Sequence, residues 1–228
     1  VAGNSIVLIL LMTAIMSLIL GMGLPTTANY IVVSSLIAPV ILILAGKNGF
    51  LIPAIAVHLF VFYFGILADD TPPVGIAAYA AAGIAKANPV TVGLQGFVYD
   101  LRTAVLPFAF FFNNKLLLIQ SIGDPMDSKS IVWISDPLQI VLIFATAIVG
   151  MFAFSSLLQG YYVTKLRIWE RVLLIPVVPL ALVPNICVKF GLMPNEYTAY
   201  IVAAAIYGFV FMTQWGIKDK PLDQIRAI

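Results

Sequence analysis

The chain has 228 residues, of which 62% are hydrophobic and only 10% carry a charge, and its mean hydropathy is +1.06. A soluble domain has about a quarter of its residues charged, so this composition excludes a water-soluble globular protein. The net charge of +2 is too small to indicate nucleic-acid binding, and the single cysteine, Cys187, excludes an internal disulfide or a cysteine metal site. Because a helical span needs about 20 apolar residues, the sequence predicts an all-α polytopic membrane protein.

The chain begins at Val1, with no initiator Met and no basic residues before its first apolar stretch. That stretch therefore lacks the pattern of a signal peptide. We expect the sequence to be a fragment of a longer protein.

The first predicted element is a hairpin over about residues 4–45 that enters the membrane and turns back. Its apolar arms, Ile6–Leu20 and Tyr30–Ala45, have roughly 15 to 16 residues each, which is short for a crossing. The connection Gly21-Met-Gly-Leu-Pro-Thr-Thr27 contains two glycines, a proline and two hydroxyls, a composition typical of a turn. The sequence therefore predicts a re-entrant hairpin with its tip at residues 21–27.

A broken helix is predicted next, over about residues 50–86. A helix of about 36 residues would be about 54 Å long, which exceeds the bilayer core, and Asp69-Asp-Thr-Pro-Pro-Val-Gly75 interrupts it. Thr71 before Pro72 predicts an N-cap and a first helical position, so a second half-helix is expected over Val74–Ala85. Irregular backbone inside a membrane is tolerated only beside protein or a watery cavity, so the break indicates a functional site.

The remaining segments predict a cytoplasmic connection over 87–102, a transmembrane helix over 103–119, and further spans with a cytoplasmic tail over 121–228, about four further transmembrane helices in all. Acidic residues dominate the connection before Leu138, whereas basic residues concentrate in one later connection and in the tail. The acids are Asp124, Asp127 and Asp136, and the bases are Lys165, Arg167, Arg171, Lys218, Lys220 and Arg226. Since basic loops stay cytoplasmic, we expect the hairpin to enter from the external face.

The two interruptions are the candidate ion site. Where a helix breaks, carbonyls of one half and amides of the other lose their partners, which creates neighbouring cation and anion sites. The candidate ion-binding residues, whose carbonyls, hydroxyls or carboxylates offer hard oxygen ligands, are Gly21, Gly23, Thr26, Thr27, Gly65, Ala68, Asp69, Asp70 and Thr71. A carboxylate at the C-terminal end of a half-helix is unfavourable unless a cation, a proton or a basic partner compensates it. Asp69 and Asp70 therefore either take part in ion or proton coupling, or cap the restarted helix or line a solvated cavity.

Other polar residues in apolar surroundings have simpler interpretations. His58 is the only histidine, which argues against a transition-metal site and favours a hydrogen-bonded structural role over a proton relay. Asn29, Ser34 and Ser35 either contact a substrate or hold neighbouring helices together.

Taken in order and with their spacing, the two interruptions resemble the C-terminal portion of the large membrane (M) subunit of tripartite ATP-independent periplasmic (TRAP) transporters. The resemblance covers about residues 1–120. It is closest to the fused permeases that work with TAXI-type binding proteins, on Ala68-Asp-Asp-Thr-Pro-Pro-Val-Gly-Ile-Ala-Ala-Tyr79, Asp100-Leu-Arg-Thr103 and Leu106-Pro107. Better-known members are uncharged where this chain has Asp69 and Asp70, which leaves sodium and proton coupling both open.

This resemblance implies half of an inverted-repeat, elevator-type transporter in a bacterial or archaeal cytoplasmic membrane. Na⁺ would be the coupling ion, with no other cofactor. The implied partners are a TAXI-type periplasmic solute-binding protein and the remaining N-terminal part of the same permease.

The resemblance also implies that the hairpin tip and the break form a sodium site beside the solute. The residues then expected at the substrate are Pro25, Asn29, Pro72, Pro73 and Gly75. Half-helix amides beside a bound cation suit a small organic anion such as a carboxylate, and no nucleotide motif offers another energy source.

Two alternatives come from other classes. An intramembrane aspartyl protease would need Asp69 and Asp70 to face one water, but neighbours on a helix point about 100° apart. A channel or a structural membrane subunit would share the same apolar composition. We therefore expect a transporter and not an enzyme.

Overall fold

The computed structural model describes residues 6–49, 51–69, 71–72, 75–123 and 130–218. The chain divides into two compact units, Val1–Ile134 and Ser135–Ile228. Helices dominate the described residues of both units, and three of these helices are long and apolar enough to cross a membrane. The predicted all-α polytopic class is therefore confirmed.

The first unit is built around its third helix. Its helices are α1 (Ile6–Gly21), α2 (Thr26–Lys47), α3 (Ala54–Leu67), α4 (Ile76–Ala85) and α5 (Pro89–Phe112). Helix α3 packs against α1, α2 and α5, and α4 packs against α5. Because α3 is apolar on all sides, it takes the buried position at the centre of the unit.

Aromatic side chains fill the space between α3 and α5. Phe60 is fully buried, and its ring centroid lies 5.1 Å from that of Phe108 in an edge-to-face arrangement. Phe64 contacts the same ring at 5.7 Å. Each such pair adds about 0.5–1.5 kcal/mol beyond the burial of its area. This cluster fixes the C-terminal half of α3, where the break begins.

The hairpin turn is shorter than the sequence predicts. Helix α1 ends at Gly21 and α2 begins at Thr26, so Thr26 and Thr27 belong to the helix and not to the turn. Pro25 has extended backbone (φ −56°, ψ 145°) and stops the helix from starting earlier. Helix α2 has 22 residues and is long enough to cross a membrane, so the prediction of a short second arm is wrong. The re-entrant path of the hairpin stays a prediction.

The predicted N-cap at Thr71 is also wrong. Helix α3 ends at Leu67, and the Thr71 hydroxyl donates a hydrogen bond to the Leu67 carbonyl at 2.6 Å. Thr71 therefore satisfies the C-terminal end of α3 instead of starting α4. Helix α4 begins at Ile76 with Gly75 as its N-cap. The two prolines of the motif disfavour helical backbone at the residues before them, which delays the restart. The predicted start at Val74 lies outside the described residues.

Most of the predicted connection over 87–102 is helical, because α5 begins at Pro89. Asn88 caps α5 by accepting a hydrogen bond from the Val90 amide at 2.9 Å, and Pro89 takes the first helical position. The predicted helix over 103–119 is therefore only the second half of α5, which ends at Phe112. The polar residues of the first half indicated a loop, but one face of a helix carries them equally well. The cytoplasmic location of this segment stays a prediction.

After α5 the chain forms a 3₁₀ turn over Asn114–Leu117 and a small two-stranded sheet. Strand β1 (Ile119–Ile122) pairs antiparallel with β2 (Ile131–Trp133), with Ile119 opposite Trp133. The sequence did not predict these strands, because their few residues give too short an alternation.

The second unit is a helical bundle. It contains α6 (Pro137–Gln159), α7 (Ile168–Leu182), α8 (Pro184–Lys189) and α9 (Glu196–Lys218). Helix α7 packs against both α6 and α9. Asp136 caps α6 by accepting a hydrogen bond from the Leu138 amide at 3.1 Å.

Candidate functional site

The two interruptions predicted from the sequence meet in the first unit. Gly21, the last residue of α1, lies against the end of α3: a Cβ atom there would be 2.5 Å from the Ala68 Cβ atom and 3.3 Å from the Gly65 carbonyl oxygen. Only a residue without a side chain allows this approach. The structure thus brings together three of the predicted ion-binding residues.

Two buried polar side chains lie at the same place. Asn29 on α2 and Ser17 on α1 are 1% and 0% exposed. The side-chain Nδ2 atom of Asn29 donates to the Ser17 backbone carbonyl at 3.2 Å. The Asn29 Oδ1 and Ser17 Oγ atoms have no hydrogen-bond partner among the described residues. A buried polar atom without a partner costs about 1–3 kcal/mol, so this pair of oxygens favours a further ligand.

A direct hydrogen bond joins the hairpin to the break. The Thr26 hydroxyl, in the first turn of α2, donates to the Asp69 Oδ2 atom at 2.5 Å. The Asp69 carbonyl accepts a hydrogen bond from the Ala77 amide in the first turn of α4 at 3.2 Å. Asp69 therefore contacts the ends of three helices. Its carboxylate lies at the negative end of α3 and receives its hydrogen bond from the positive end of α2.

The other predicted residues are distributed differently. Gly23, Pro25 and Thr27 are exposed, and a Cβ atom at Gly23 would meet nothing within 4 Å. Pro72 and Gly75 line a small cavity between α4 and α5. Asp70 and Pro73 lie outside the described residues. Among the predicted ion-binding and substrate residues that are described, those that converge are Gly21, Thr26, Asn29, Gly65, Ala68 and Asp69.

The remaining polar residues of the hairpin serve local structure. The Tyr30 hydroxyl is hydrogen-bonded to the His58 Nδ1 atom at 3.0 Å, which links α2 to α3 and fits the structural role predicted for His58. Ser34 and Ser35 both donate to the Ile31 carbonyl of their own helix, at 3.3 Å and 2.6 Å. No group of three His, Cys, Asp or Glu side chains suited to a metal ion occurs in the described ranges.

Ser17 is the site residue that sequence reasoning missed. It was treated as part of an apolar arm, although Thr13, Ser17 and Gly21 recur every four residues and are all buried on one face of α1. Such a line of small and polar residues is typical of close helix contacts in membranes. That spacing was the available signal.

A second buried polar cluster lies in the second unit and was not predicted. Glu170 and Gln214 are both 0% exposed. The Glu170 Oε2 atom accepts hydrogen bonds from the Arg167 amide at 2.8 Å and from the Gln214 side chain at 2.5 Å. The Gln214 Oε1 atom in turn accepts from the amide and the hydroxyl of Thr164. The cluster joins the start of α7, the end of α9 and the connection before α7.

Burial raises the pKa of Tyr162, in the same connection, well above its ordinary value, and a hydrogen bond with Tyr207 contributes to the rise. The Tyr162 phenol therefore stays neutral at a pH at which an exposed tyrosine ionises.

Apolar helices, three of them long enough to cross a membrane, define a multi-pass membrane protein, and the buried oxygen atoms at its helix break are its candidate site. Residues 1–124, more than half of the chain, match the family model described as the DctM component of the tripartite ATP-independent periplasmic transporter. The chain belongs to this family, which confirms the resemblance seen in the sequence. The family consists of multi-pass inner-membrane permeases of secondary transporters.

Residues 140–205 match a second model, described as a domain of unknown function (DUF3394). This match lies within the second unit. The comparisons with curated proteins and with solved structures gave no match.

Proposed function

We propose that this permease couples the inward movement of sodium to the import of a small organic anion, such as a carboxylate. The observation that carries the proposal is the pair of unpartnered buried oxygens, Asn29 Oδ1 and Ser17 Oγ, where the hairpin meets the helix break. Together with the Gly65 carbonyl, which faces Gly21, they offer hard oxygen ligands in a site closed to bulk water. Sodium bound there would supply the partner that these atoms lack.

The anion would bind beside the cation. The first turn of α2 has free amides and the positive end of the helix dipole, and a bound sodium ion would add a full positive charge. Pro72 and Gly75 line the cavity next to the start of α4, which is the second helix N-terminus at this break. These features favour a solute with a carboxylate over a neutral or cationic solute.

In this proposal the solute comes from a TAXI-type periplasmic binding protein. An N-terminal part of the same permease completes an elevator-type transport domain. The support is the motif from Ala68 to Tyr79, which resembles that of the fused permeases. An aspartyl protease has less support, since the chain belongs to a transporter family and the Asp69 carboxylate is engaged by Thr26.

The first test measures sodium binding without knowledge of the solute. Sodium chloride should raise the melting temperature of the purified full-length permease, and choline chloride at equal ionic strength should not. An equal response to the two salts would contradict sodium binding.

The second test measures transport. Full-length permease in proteoliposomes with its binding protein should accumulate radiolabelled carboxylates from a panel when a sodium gradient is imposed. Collapse of that gradient should stop accumulation, whereas a channel would only equilibrate the solute.

The two acids of the motif are tested together. Replacing Asp69 and Asp70 by Asn should change the dependence of uptake on sodium or on pH, because the double variant removes the carboxylates nearest the break. Uptake with an unchanged dependence on both would exclude these acids from coupling.

A further inference from the structure

One side-chain pair connects the hairpin turn to the helix break. Thr26 and Asp69 are 43 positions apart in sequence, and both are partly buried, yet the Thr26 hydroxyl donates to the Asp69 carboxylate at 2.5 Å. Bonds from a hydroxyl to a carboxylate are short and roughly twice as strong as neutral ones. The contact joins the hairpin turn to the end of α3, where Gly21 already lies close to Gly65 and Ala68.

The charge of Asp69 is compensated only while α2 lies against the helix break. At the end of α3 its carboxylate lies at the negative end of that helix, which disfavours the charge. The first turn of α2 compensates by bringing a hydroxyl donor and a positive helix end to the carboxylate. This compensation lasts only while α2 rests on the break, so separating the two segments would leave the Asp69 carboxylate without it.

The same contact covers the candidate ion site. Asn29 follows Thr26 by three positions on α2, so the two side chains lie on neighbouring parts of one helix face. Asn29 in turn holds the Ser17 carbonyl, and both residues are buried. Lifting the first turn of α2 would expose the Asn29 and Ser17 oxygens to solvent.

We infer that the hydrogen bond between Thr26 and Asp69 is a latch that keeps the hairpin turn closed over the ion site. Asp69 acts as a positioning residue: it holds α2 against the break, and its release opens the path to Asn29 and Ser17. The identity of the site beneath the latch rests on the proposed function, but the latch itself does not depend on the coupling ion.

Hydrogen exchange of the hairpin turn tests the latch directly. In the full-length permease in lipid nanodiscs, Thr26→Val keeps the side-chain shape and removes the donor, whereas Thr26→Ser keeps the hydroxyl. The Val variant should exchange at least about tenfold faster over residues 22–31, the factor given by a net contribution of ~1.5 kcal/mol for a hydrogen bond to a charged group. The Ser variant should restore slow exchange. Ser35→Ala is the matched control, because the Ser35 hydroxyl donates its hydrogen bond to the Ile31 carbonyl of its own helix.

The Asp69 side of the pair is tested in the same way. Asp69→Asn keeps an oxygen that accepts the Thr26 hydroxyl, so its exchange should stay closer to the wild type than that of Asp69→Ala. If Asp69→Ala does not fold, the Thr26 variants and Asp69→Asn still decide the question. Unchanged exchange in Thr26→Val would overturn the latch.

A double-mutant cycle separates the latch from the ion site. Thr26→Val and Asp69→Ala should each reduce the sodium-induced rise in melting temperature. The rise in the double variant should be no smaller than the smaller of the two rises in the single variants. Additive losses would mean that the two residues act independently and would contradict the latch. If sodium does not stabilise the wild type, the proposed function fails, while the exchange measurements still decide whether the latch exists.

Discussion

Gly21 is the residue at which the geometry of the candidate site is least tolerant. A Cβ atom there would be 2.5 Å from the Ala68 Cβ atom and 2.6 Å from the Asn29 amide nitrogen, well inside van der Waals contact. Gly21→Ala should therefore push the end of α1 away from α3 and destabilise the permease by about 1–3 kcal/mol, as overpacking does elsewhere. Thermal unfolding of the purified protein would measure the loss.

Gly46→Ala provides the control for this prediction. Gly46 also lies in a hairpin helix, but a Cβ atom there would meet nothing within 4 Å. The alanine at position 46 should leave stability unchanged or raise it slightly, because alanine favours helices by about 1 kcal/mol over glycine. Equal stability of the two variants would contradict the close contact at Gly21.

Replacing Ser17 should have different effects without and with sodium. Its buried hydroxyl oxygen has no hydrogen-bond partner among the described residues, so Ser17→Ala should not destabilise the sodium-free protein. The same change removes a proposed ligand, so sodium should stabilise the variant less than the wild type. Melting curves in sodium and in choline would measure both effects. A large loss of stability without sodium would indicate a structural role instead.

Only part of this site could be predicted from the sequence. Three of its residues could be predicted, namely Thr26, Asn29 and Asp69. Polar groups in apolar membrane segments cost free energy, so their presence indicates a function. Ser17 is harder to identify, since a lone hydroxyl can bond its own backbone, as Thr13 does to the Ile9 carbonyl at 2.9 Å, and only its spacing from Thr13 and Gly21 indicates a buried face. Which hydroxyls point inward depends on packing, and Thr27, beside Thr26, is exposed.

At the scale of elements, the clearest prediction concerns the pairing of α7 with α9. Gln214→Ala would remove a donor from the fully buried Glu170 carboxylate and leave Thr164 without its acceptor. The expected cost is about 1–3 kcal/mol in stability. Glu170→Gln keeps an oxygen for the Arg167 amide and should cost less. In thermal unfolding, the stability losses of the single alanine variants at Glu170 and Gln214 should not add up in the double variant. Additive losses of stability would contradict a shared cluster.

The helices themselves were easier to predict than their ends. Apolar length located the arms of the hairpin and the broken helix, whereas the boundaries depended on local capping. Thr71 is of a residue type that favours an N-cap, but its hydroxyl donates to the Leu67 carbonyl. Asn88, in a segment interpreted as a connection, is a true cap that accepts from two amides of α5. Both residue types bond the backbone in either direction, so sequence alone does not decide which helix end they serve.

At the scale of the whole chain, family and structure divide the protein at a similar place. The transporter family model covers residues 1–124, and the first unit ends at Ile134. The candidate ion site, with the unpartnered oxygens of Ser17 and Asn29, lies in the first unit. The buried cluster of the second unit links α7 to α9, and its Glu170 Oε1 atom also has no hydrogen-bond partner among the described residues. The residues proposed to bind sodium and the solute therefore all lie within the part of the chain that matches the transporter family.

Membrane topology provides the last prediction. The connection between α6 and α7 contains Lys165 and Arg167, and Arg171 follows in the first turn of α7. The positive-inside rule therefore places this connection in the cytoplasm and the connection before α9 outside. Lys165 and Leu192 are both exposed, which makes Lys165→Cys and Leu192→Cys suitable reporters. In intact cells an impermeant maleimide should label position 192 and should reach position 165 only after the membrane is opened. Cys187 is 5% exposed and should stay unlabelled as the internal control. Labelling of position 165 in intact cells would reverse the orientation of the second unit and with it the charge argument on which the external entry of the hairpin depends.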